Sequence, residues 1–330
     1  MEATGTVTAV VLNYDGRHLL EVILPSLATQ TYAPLEVLVV DNGSRDDSLA
    51  WLADHWPDVE VLRIETNIGV AAALNRGVGA ARGEYVALLN NDLELEPAWV
   101  TELVDALARH PEAASAACKL RSYHRRDRLD GAGDILTRAI TGNRRGLDEV
   151  DHGQYDDAQE VFAPTAGAAL YRASAFARVG LFDESFFAYL EDVDWGLRAR
   201  LLGLACRYVP TAVGYHMGSA TTRGDANPHY WMLARRNQIG VMVKDVPLRL
   251  LIRHVFPIAL EHVAGFLDTV RRRRPGAYVE VVRQVVPRLP GWLADRRRIQ
   301  RGRLISVDEL DAMLVGSGLA GRIGRRLRSR

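Results

Sequence analysis

Apolar residues in the first third of the chain alternate between two periods. The run TVTAVVLNY (6–14) is nearly continuous and of strand length, whereas RHLLEVILPSLATQ (17–30) repeats its apolar residues at helical spacing. The same succession then recurs. LEVLVVDNGS (35–44) leads to RDDSLAWLADHW (45–56), VEVLRIE (59–65) to GVAAALNRGVGAA (69–81), and YVALLN (85–90) to PAWVTELVDALARH (97–110). Strands alternating with helices over short connections predict a parallel sheet covered on both faces.

In such a sheet ligands bind outside the carboxyl ends of the strands. Asn13 and Tyr14 end the first strand, Asp41 and Asn42 the second, Asn67 follows the third, and Asn91 and Asp92 end the fourth. All four clusters therefore fall on one edge, which suggests a built site. The segment EYVALLNNDLELEP (84–97) drives a buried strand into Asn90, Asn91, Asp92, Glu94 and Glu96. Carboxylates there either mark a turn into solvent or hold a divalent cation.

Beyond residue 111 the pattern loosens. Residues 121–160 are polar and Gly-rich, predicting a loop region with short strands over the site. VFAPTAGAALYRASAFARVGLFDESFFAYLEDVDWGLRARLLG then reads as a strand, a helix, an aromatic-rich loop and a second helix starting near Glu191. ACRYVPTAVGYHMGSAT supplies two strand-like pieces ending at His216. Residues 229–267 are helical and apolar, but Lys244, Asp245, Arg249, Arg253, His254 and Glu261 interrupt them. Their uncharged runs fall far short of the roughly 20 residues that span a bilayer. They are either an interfacial amphipathic helix pair or ordinary core packing. The expected division is a catalytic domain over 1–228 and a helical basic extension over 229–330.

Composition adds one asymmetry. The formal net charge is zero, yet residues 271–330 hold 16 Arg, no Lys and 5 acidic residues, a net +11, so the preceding 270 carry −11. That tail implies either an anionic partner, such as phospholipid, pyrophosphate lipid or nucleic acid, or a solvated helical surface. Cys118 and Cys206 have no metal-ligand spacing and read as reduced core residues of a cytosolic protein. The first ten residues offer no signal-peptide pattern.

Two tempting motifs fail on context. GVGAARG (77–83) ends a helix instead of joining a strand to one, and its last spacing is one residue too long for a dinucleotide fingerprint. The expectation of a nicotinamide oxidoreductase fails with it, since NYDGRH after the first strand supplies no glycine motif. Asp192-Val193-Asp194 resembles a metal-binding pair but sits at what reads as an amphipathic helix start, where Glu191 and Asp192 suit the positive helix end.

Six stretches in order, VVLNYDG, VVDNGSRDDS, ETNIGVAAALNRGV, YVALLNNDLELEP, GLFDESFFAYLEDVDWGLRARLLG and GYHMGSAT, resemble successive motifs of family 2 glycosyltransferases. They are most similar to the branch of bacterial rhamnosyltransferases and galactofuranosyltransferases, and they span residues 6–240. The resemblance implies an α/β GT-A fold: a mainly parallel sheet flanked by helices, here with a helical C-terminal extension. It implies Mn²⁺ or Mg²⁺ as cofactor, held by Asp92 at the last position of the family's Asp-x-Asp motif and by His216. A lone His is otherwise more often a structural core residue. Asn91 falls where the family contacts the ribose, and Glu94 is a further candidate ligand.

The resemblance also assigns the general base to Asp192, giving inversion by a single displacement, with Glu191 orienting the acceptor and Asp194 left as a helix-surface or supporting residue. The alternative for all three is helix N-capping. Asp41 is implied to accept the pyrimidine ring N–H, with Asn13 and Tyr14 flanking the base and Asn67 near the ring or ribose. Gly167 would let the backbone approach the donor sugar, and Trp195 is counted among the substrate-binding residues. The implied donor is dTDP-L-rhamnose, or else UDP-galactofuranose or another UDP-hexose. The implied acceptor is a glycan or a polyprenyl-diphosphate-linked glycan of cell-surface polysaccharide synthesis. A cytoplasmic protein, peripheral on the inner membrane face through residues 239–330, follows, with an anionic membrane surface and not nucleic acid as partner. Homo-oligomerisation through the extension is the other expectation, and a non-catalytic sugar-nucleotide or glycan-binding module is the rival of another class.

Overall fold

The computed structural model describes residues 5–218, 228–274 and 276–316. Strands β1 (Val7–Asn13), β2 (Leu35–Asn42), β3 (Glu60–Ile64) and β4 (Tyr85–Asn90) pair in parallel in the order β3-β2-β1-β4. Helices α1 (Arg17–Ala28), α2 (Ser48–His55) and α3 (Val70–Ala80) connect them. In β1, Val7, Ala9 and Val11 pack under α1 and α4 (Trp99–Arg109), while Val10 and Leu12 face α3 on the other side. That is the period-2 alternation of a strand buried on both faces. A Cβ at Gly77 would come within 2.4 Å of Val10, so this glycine lets α3 lie close on the sheet.

The second half of the sheet is mixed. β10 (Ala168–Arg172) lies antiparallel between β4 and β6 (Ala113–Ser122), β11 (Ala205–His216) runs parallel to β6, and the short β5 (Leu93–Leu95) closes that side. The two strand pieces expected before His216 are one strand with an interruption at Pro210–Ala212, where the register with β6 shifts between Val209 and Val213. β7 (Leu129–Gly131) pairs with β6, and β8 (Asp134–Leu136) with β9 (Gly142–Arg144) forms a hairpin, the short strands expected within 121–160.

Helix α6 (Glu191–Leu201) corrects the amphipathic reading. After α5 (Ala173–Val179), α6 is buried on nearly all sides, including Asp194, Arg198 and Arg200. It is wedged between the aromatic group Tyr171, Phe176 and Phe182 and the helix α7 (Pro228–Lys244). A core cluster joins Phe186, Val193 and Leu197 to Val241, Met242 and Val246, so α7 is core packing, one of the two expectations for this region.

Five further α-helices follow: α8 (Leu248–Arg253), α9 (Val255–Arg271), α10 (Gly276–Val285), α11 (Leu289–Arg301) and α12 (Val307–Ala312). Among the described residues no helix is long and apolar enough to cross a membrane. Residues 317–330, with five of the arginines of the basic tail, lie outside the described residues, as do Ser219–Thr221 of the GYHMGSAT stretch.

Candidate active site

The parallel register places Asn13 beside Asp41, and the side chains follow. Asn13 Nδ2 donates to Asp41 Oδ2 at 3.1 Å and to Ser44 Oγ at 3.2 Å, and Asn91 Nδ2 donates to Asn13 Oδ1 at 2.8 Å. The ends of β1, β2 and β4 are thus tied into one polar floor. Gly16 permits it, because a Cβ there would lie 2.1 Å from Asn91 Nδ2. Tyr14 is half-buried at the end of β1. Asn67 is exposed, accepting from Gly69 N at 2.9 Å and from Asn42 Nδ2 at 3.2 Å.

Asp92 and His216 meet because β5 pairs with β11: Met217 N donates to Asp92 O at 3.0 Å, bringing His216 Nε2 to 3.3 Å from Asp92 Oδ2. The other ring nitrogen lies 2.9 Å from Asp130 Oδ2, and Arg144 pairs with the same carboxylate. Burial opposes a charge on the imidazole, but the bonds to Asp130 and Asp92 outweigh it and raise the His216 pKa to about 9. Asp92 Oδ1 is buried without a hydrogen-bond partner. Glu94 points elsewhere, pairing with Arg126, which stacks on Tyr215.

The third group lies at the start of α6. Asp192 is half-buried, with Oδ1 accepting from Val193 N at 2.8 Å and Oδ2 from Ala166 N at 3.4 Å. Gly167, next to Ala166, accepts from Asn90 N at 2.8 Å through its carbonyl, and a Cβ at Gly167 would be 2.5 Å from Asn90 Nδ2. The close approach at Gly167 is therefore made by Asn90, which links Asp192 to the Asn91-Asp92 end of β4. Burial raises the pKa of Asp192, against the pull of its backbone donors and Arg144. Burial and then the charge of Asp192 also raise Glu191, whose Oε2 is buried without a partner. Asp134, bonded by Thr165 at 2.9 Å, is raised by burial and by Asp192 to about 7. Asp192 thus acts electrostatically on two further carboxyls, Glu191 and Asp134, the arrangement that keeps some protonated while another is free to take a proton.

The family model for glycosyl transferase family 2 matches residues 8–180. The chain belongs to this family. The N-acetylglucosaminyl-diphospho-decaprenol L-rhamnosyltransferase of Mycobacterium tuberculosis is 29% identical over 253 residues, covering 68% of this chain and 80% of the relative. In fold the chain is similar to GalNAc-T7 solved with UDP, GalNAc and Mn²⁺ (TM-score 0.58, 16% identity, 73% of this chain and 48% of that one). It is likewise similar to a mannosyltransferase from Pyrobaculum calidifontis solved with GDP-Man and Mn²⁺ (TM-score 0.52, 19% identity, 90% and 86%). The protein is a glycosyltransferase with a GT-A-like fold, which disposes of a purely non-catalytic module.

A divalent cation fits the observed donor set. Among the described residues no three His, Cys, Asp or Glu side chains form a metal-binding group. Asp92, with its unpartnered oxygen, and His216, once its Nε2 gives up the proton it holds toward Asp92, suit a cation whose remaining ligands would be diphosphate oxygens and water.

Several side chains of this candidate site were not legible in the sequence. Asp130, Arg144 and Asp134 come from the polar loop region, which has no periodicity to place them. Arg144 stands opposite Asp134 in the β8–β9 hairpin and interacts with both Asp130 and Asp192, bridging the Asp92 end and the α6 end. The loop before α6 holds Phe187, Tyr189 and Leu190 at positive φ (64°, 70° and 66°). Side chains of α7 secure it: Asn237 Nδ2 reaches the carbonyls of Phe186, Ala188 and Tyr189 at 2.7–3.0 Å, and Arg236 donates to those of Ser185 and Phe186.

Asp194 is fully buried, which corrects its helix-surface alternative: it pairs with Arg198 at 2.7 Å and Lys244 at 2.6 Å. Trp195 faces the aromatic cluster and donates to Gly180 O at 2.9 Å, so it supports α6 from the core and is not carried into the proposed site.

Proposed function

We propose that this glycosyltransferase is metal-dependent and inverting, and that it moves L-rhamnose from dTDP-L-rhamnose to a polyprenyl-diphosphate-linked glycan. The observation that carries the reading is the opposition of two chemistries across one edge. Asp92 and His216 stand at one end, the raised-pKa Asp192 at the other, and Asn90, Gly167 and Ala166 join them. The donor and acceptor classes are supported by the name of the M. tuberculosis relative. UDP-galactofuranose or another UDP-hexose is the second donor, because Asp41 accepts a pyrimidine N–H from either base.

The floor of Asn13, Asp41 and Asn91 binds the nucleoside. Asp41 Oδ1 already accepts Ser44 N at 3.1 Å, which fixes the carboxylate for the ring N–H. When bound by Asp92 and His216, the cation supplies positive charge that stabilises the departing diphosphate. Asp192 takes the proton of the acceptor hydroxyl as the new bond to the anomeric carbon forms and the bond to the diphosphate oxygen breaks. Glu191, neutral beside it, donates a hydrogen bond to the acceptor. Arg144 holds Asp130, which in turn orients His216.

The test is transfer measured with dTDP-rhamnose and a panel of UDP-sugars onto a polyprenyl-diphosphate-linked N-acetylglucosamine, with and without EDTA. Transfer of rhamnose that EDTA stops, and that Asp92→Ala abolishes together with metal-dependent nucleotide binding, is expected. Undiminished activity in EDTA, or a fully active Asp92→Ala, sinks the metal role.

A further inference from the structure

Helix α9 is inside out. A surface helix normally turns its apolar stripe to the core and its polar residues to water. In α9 the buried side is Glu261, Gly265 and Thr269, resting on α7, where Glu261 pairs with Arg235 at 3.0 Å and Gly265 lies against the same guanidinium. The outer side holds Val255, Phe256, Ala259, Leu260, Val263, Phe266, Leu267 and Val270, and every exposed side chain between Val255 and Val270 is apolar. Phe256 is 76% exposed and Leu267 58%. These positions recur at three- and four-residue spacing, so they form one stripe about 25 Å long, at 1.5 Å per residue. A contiguous apolar face of this kind marks a docking surface.

The charges at its two ends select the occupant. The stripe runs into Arg271–Arg274, all four exposed, of which Arg272 pairs with Asp268. Leu248 and Ile252 of α8, 62% and 66% exposed, precede it. Beside Leu248 opens a groove of about 620 Å³ rimmed by Arg249, Arg297 and Arg301. Arginine therefore flanks the apolar stripe at both ends. A second copy would bring arginine against arginine, since the carboxylates nearest the stripe, Asp268 at one end and Asp308 and Asp311 at the other, are already paired with Arg272 and Arg253. A bilayer with anionic headgroups matches both features at once: acyl chains for the stripe and phosphates for the arginines.

We infer that the outer face of α8 and α9 is a membrane-interfacial surface, lying on anionic phospholipid with its stripe in the acyl boundary and the flanking arginines on headgroup phosphates. It does not cross the bilayer. It sharpens the expectation for residues 239–330, because α7 is withdrawn into the core and α9 carries the contact. The inference is independent of the sugar, metal and acceptor proposed above.

Flotation of the full chain with vesicles of phosphatidylcholine, alone or mixed with phosphatidylglycerol, at low and high salt, tests it without any transfer assay. Recovery with the anionic vesicles at low salt, and loss at high salt, is expected. Phe256→Asp with Phe266→Asp should weaken binding at least tenfold, as each removes a large apolar side chain from the acyl boundary. Arg273→Glu should weaken it roughly fivefold or more, and both variants should keep transfer to a water-soluble acceptor. Recovery in the soluble fraction under every condition overturns the inference. So does binding indifferent to the two phenylalanines, or a dimer in the absence of vesicles that those substitutions dissolve.

Discussion

Helices α6 and α9 both turn polar side chains toward the protein, and they resolve the cost in opposite ways. In α6 the polar residues are charged, and the charges are matched inside. Arg198 and Lys244 face Asp194 and Asp183, while burial and then the charge of Asp194 push the pKa of the neighbouring Asp245 up. Burial opposes the charge on Asp194, but Arg198 and then Lys244 outweigh it and hold the carboxyl well below its ordinary range. The helix is thereby covered on nearly every side, and its first turn is fixed where the proposed base Asp192 stands. In α9 the fully buried residues are only Glu261, paired with Arg235, Gly265 and Thr269, and most of the apolar residues are left facing out. A buried charge cluster thus locates a site within the chain, whereas an outward apolar stripe implies a partner beyond it.

The comparison breaks first at Asp192. Asp192→Asn keeps the size and capping ability of the side chain but cannot accept a proton. Turnover should fall roughly 10²- to 10⁴-fold, with donor affinity measured by calorimetry nearly intact and vesicle flotation unchanged. If Glu191→Gln is far more damaging, the two carboxyls have exchanged roles.

Next in size is the charge cluster behind α6. Lys244→Ala leaves Asp194 and Asp183 without their shared cation in a buried place, and should cost about 3–5 kcal/mol in denaturant unfolding. A loss under about 1 kcal/mol would mean that the cluster is solvated after all. The bond network of Asn237 offers a milder version. Asn237→Ala should lower turnover more than donor affinity, because it releases the loop entering α6 and not the nucleotide floor.

The acid limb of the rate profile sharpens the same contrast. As the proposed base Asp192 works only when deprotonated, and its folded pKa is raised, so activity should fall as pH drops through a value above the usual carboxylate pKa of about 4. A profile flat down to the ordinary carboxylate range would remove Asp192 as the base. The smallest effect is expected on α9. Phe256→Asp should change unfolding free energy by only about 0.5 kcal/mol or less, since the side chain is exposed. A large loss would show that the stripe is covered in the free protein.

The sequence by itself determined the first half of the sheet and its binding edge. Strand–helix units with short connections are local, so a parallel sheet follows from periodicity alone, and the ends of its strands must share an edge. Asn13, Asp41, Asn91 and Asp92 were legible for that reason, and the distances between them follow from parallel register. Asp130, Arg144 and Asp134 were not, because they reach the site through pairings across an aperiodic loop. Trp195 and Asp194 stand in a quoted motif, yet only packing shows that one belongs to an aromatic core and the other to an ion cluster. The orientation of α9 is the plainest case. Helical spacing fixes which residues share a face, but a period carries no reference to the rest of the molecule. Whether that face turns in or out is decided only when Arg235 takes Glu261 and leaves Phe256 outside.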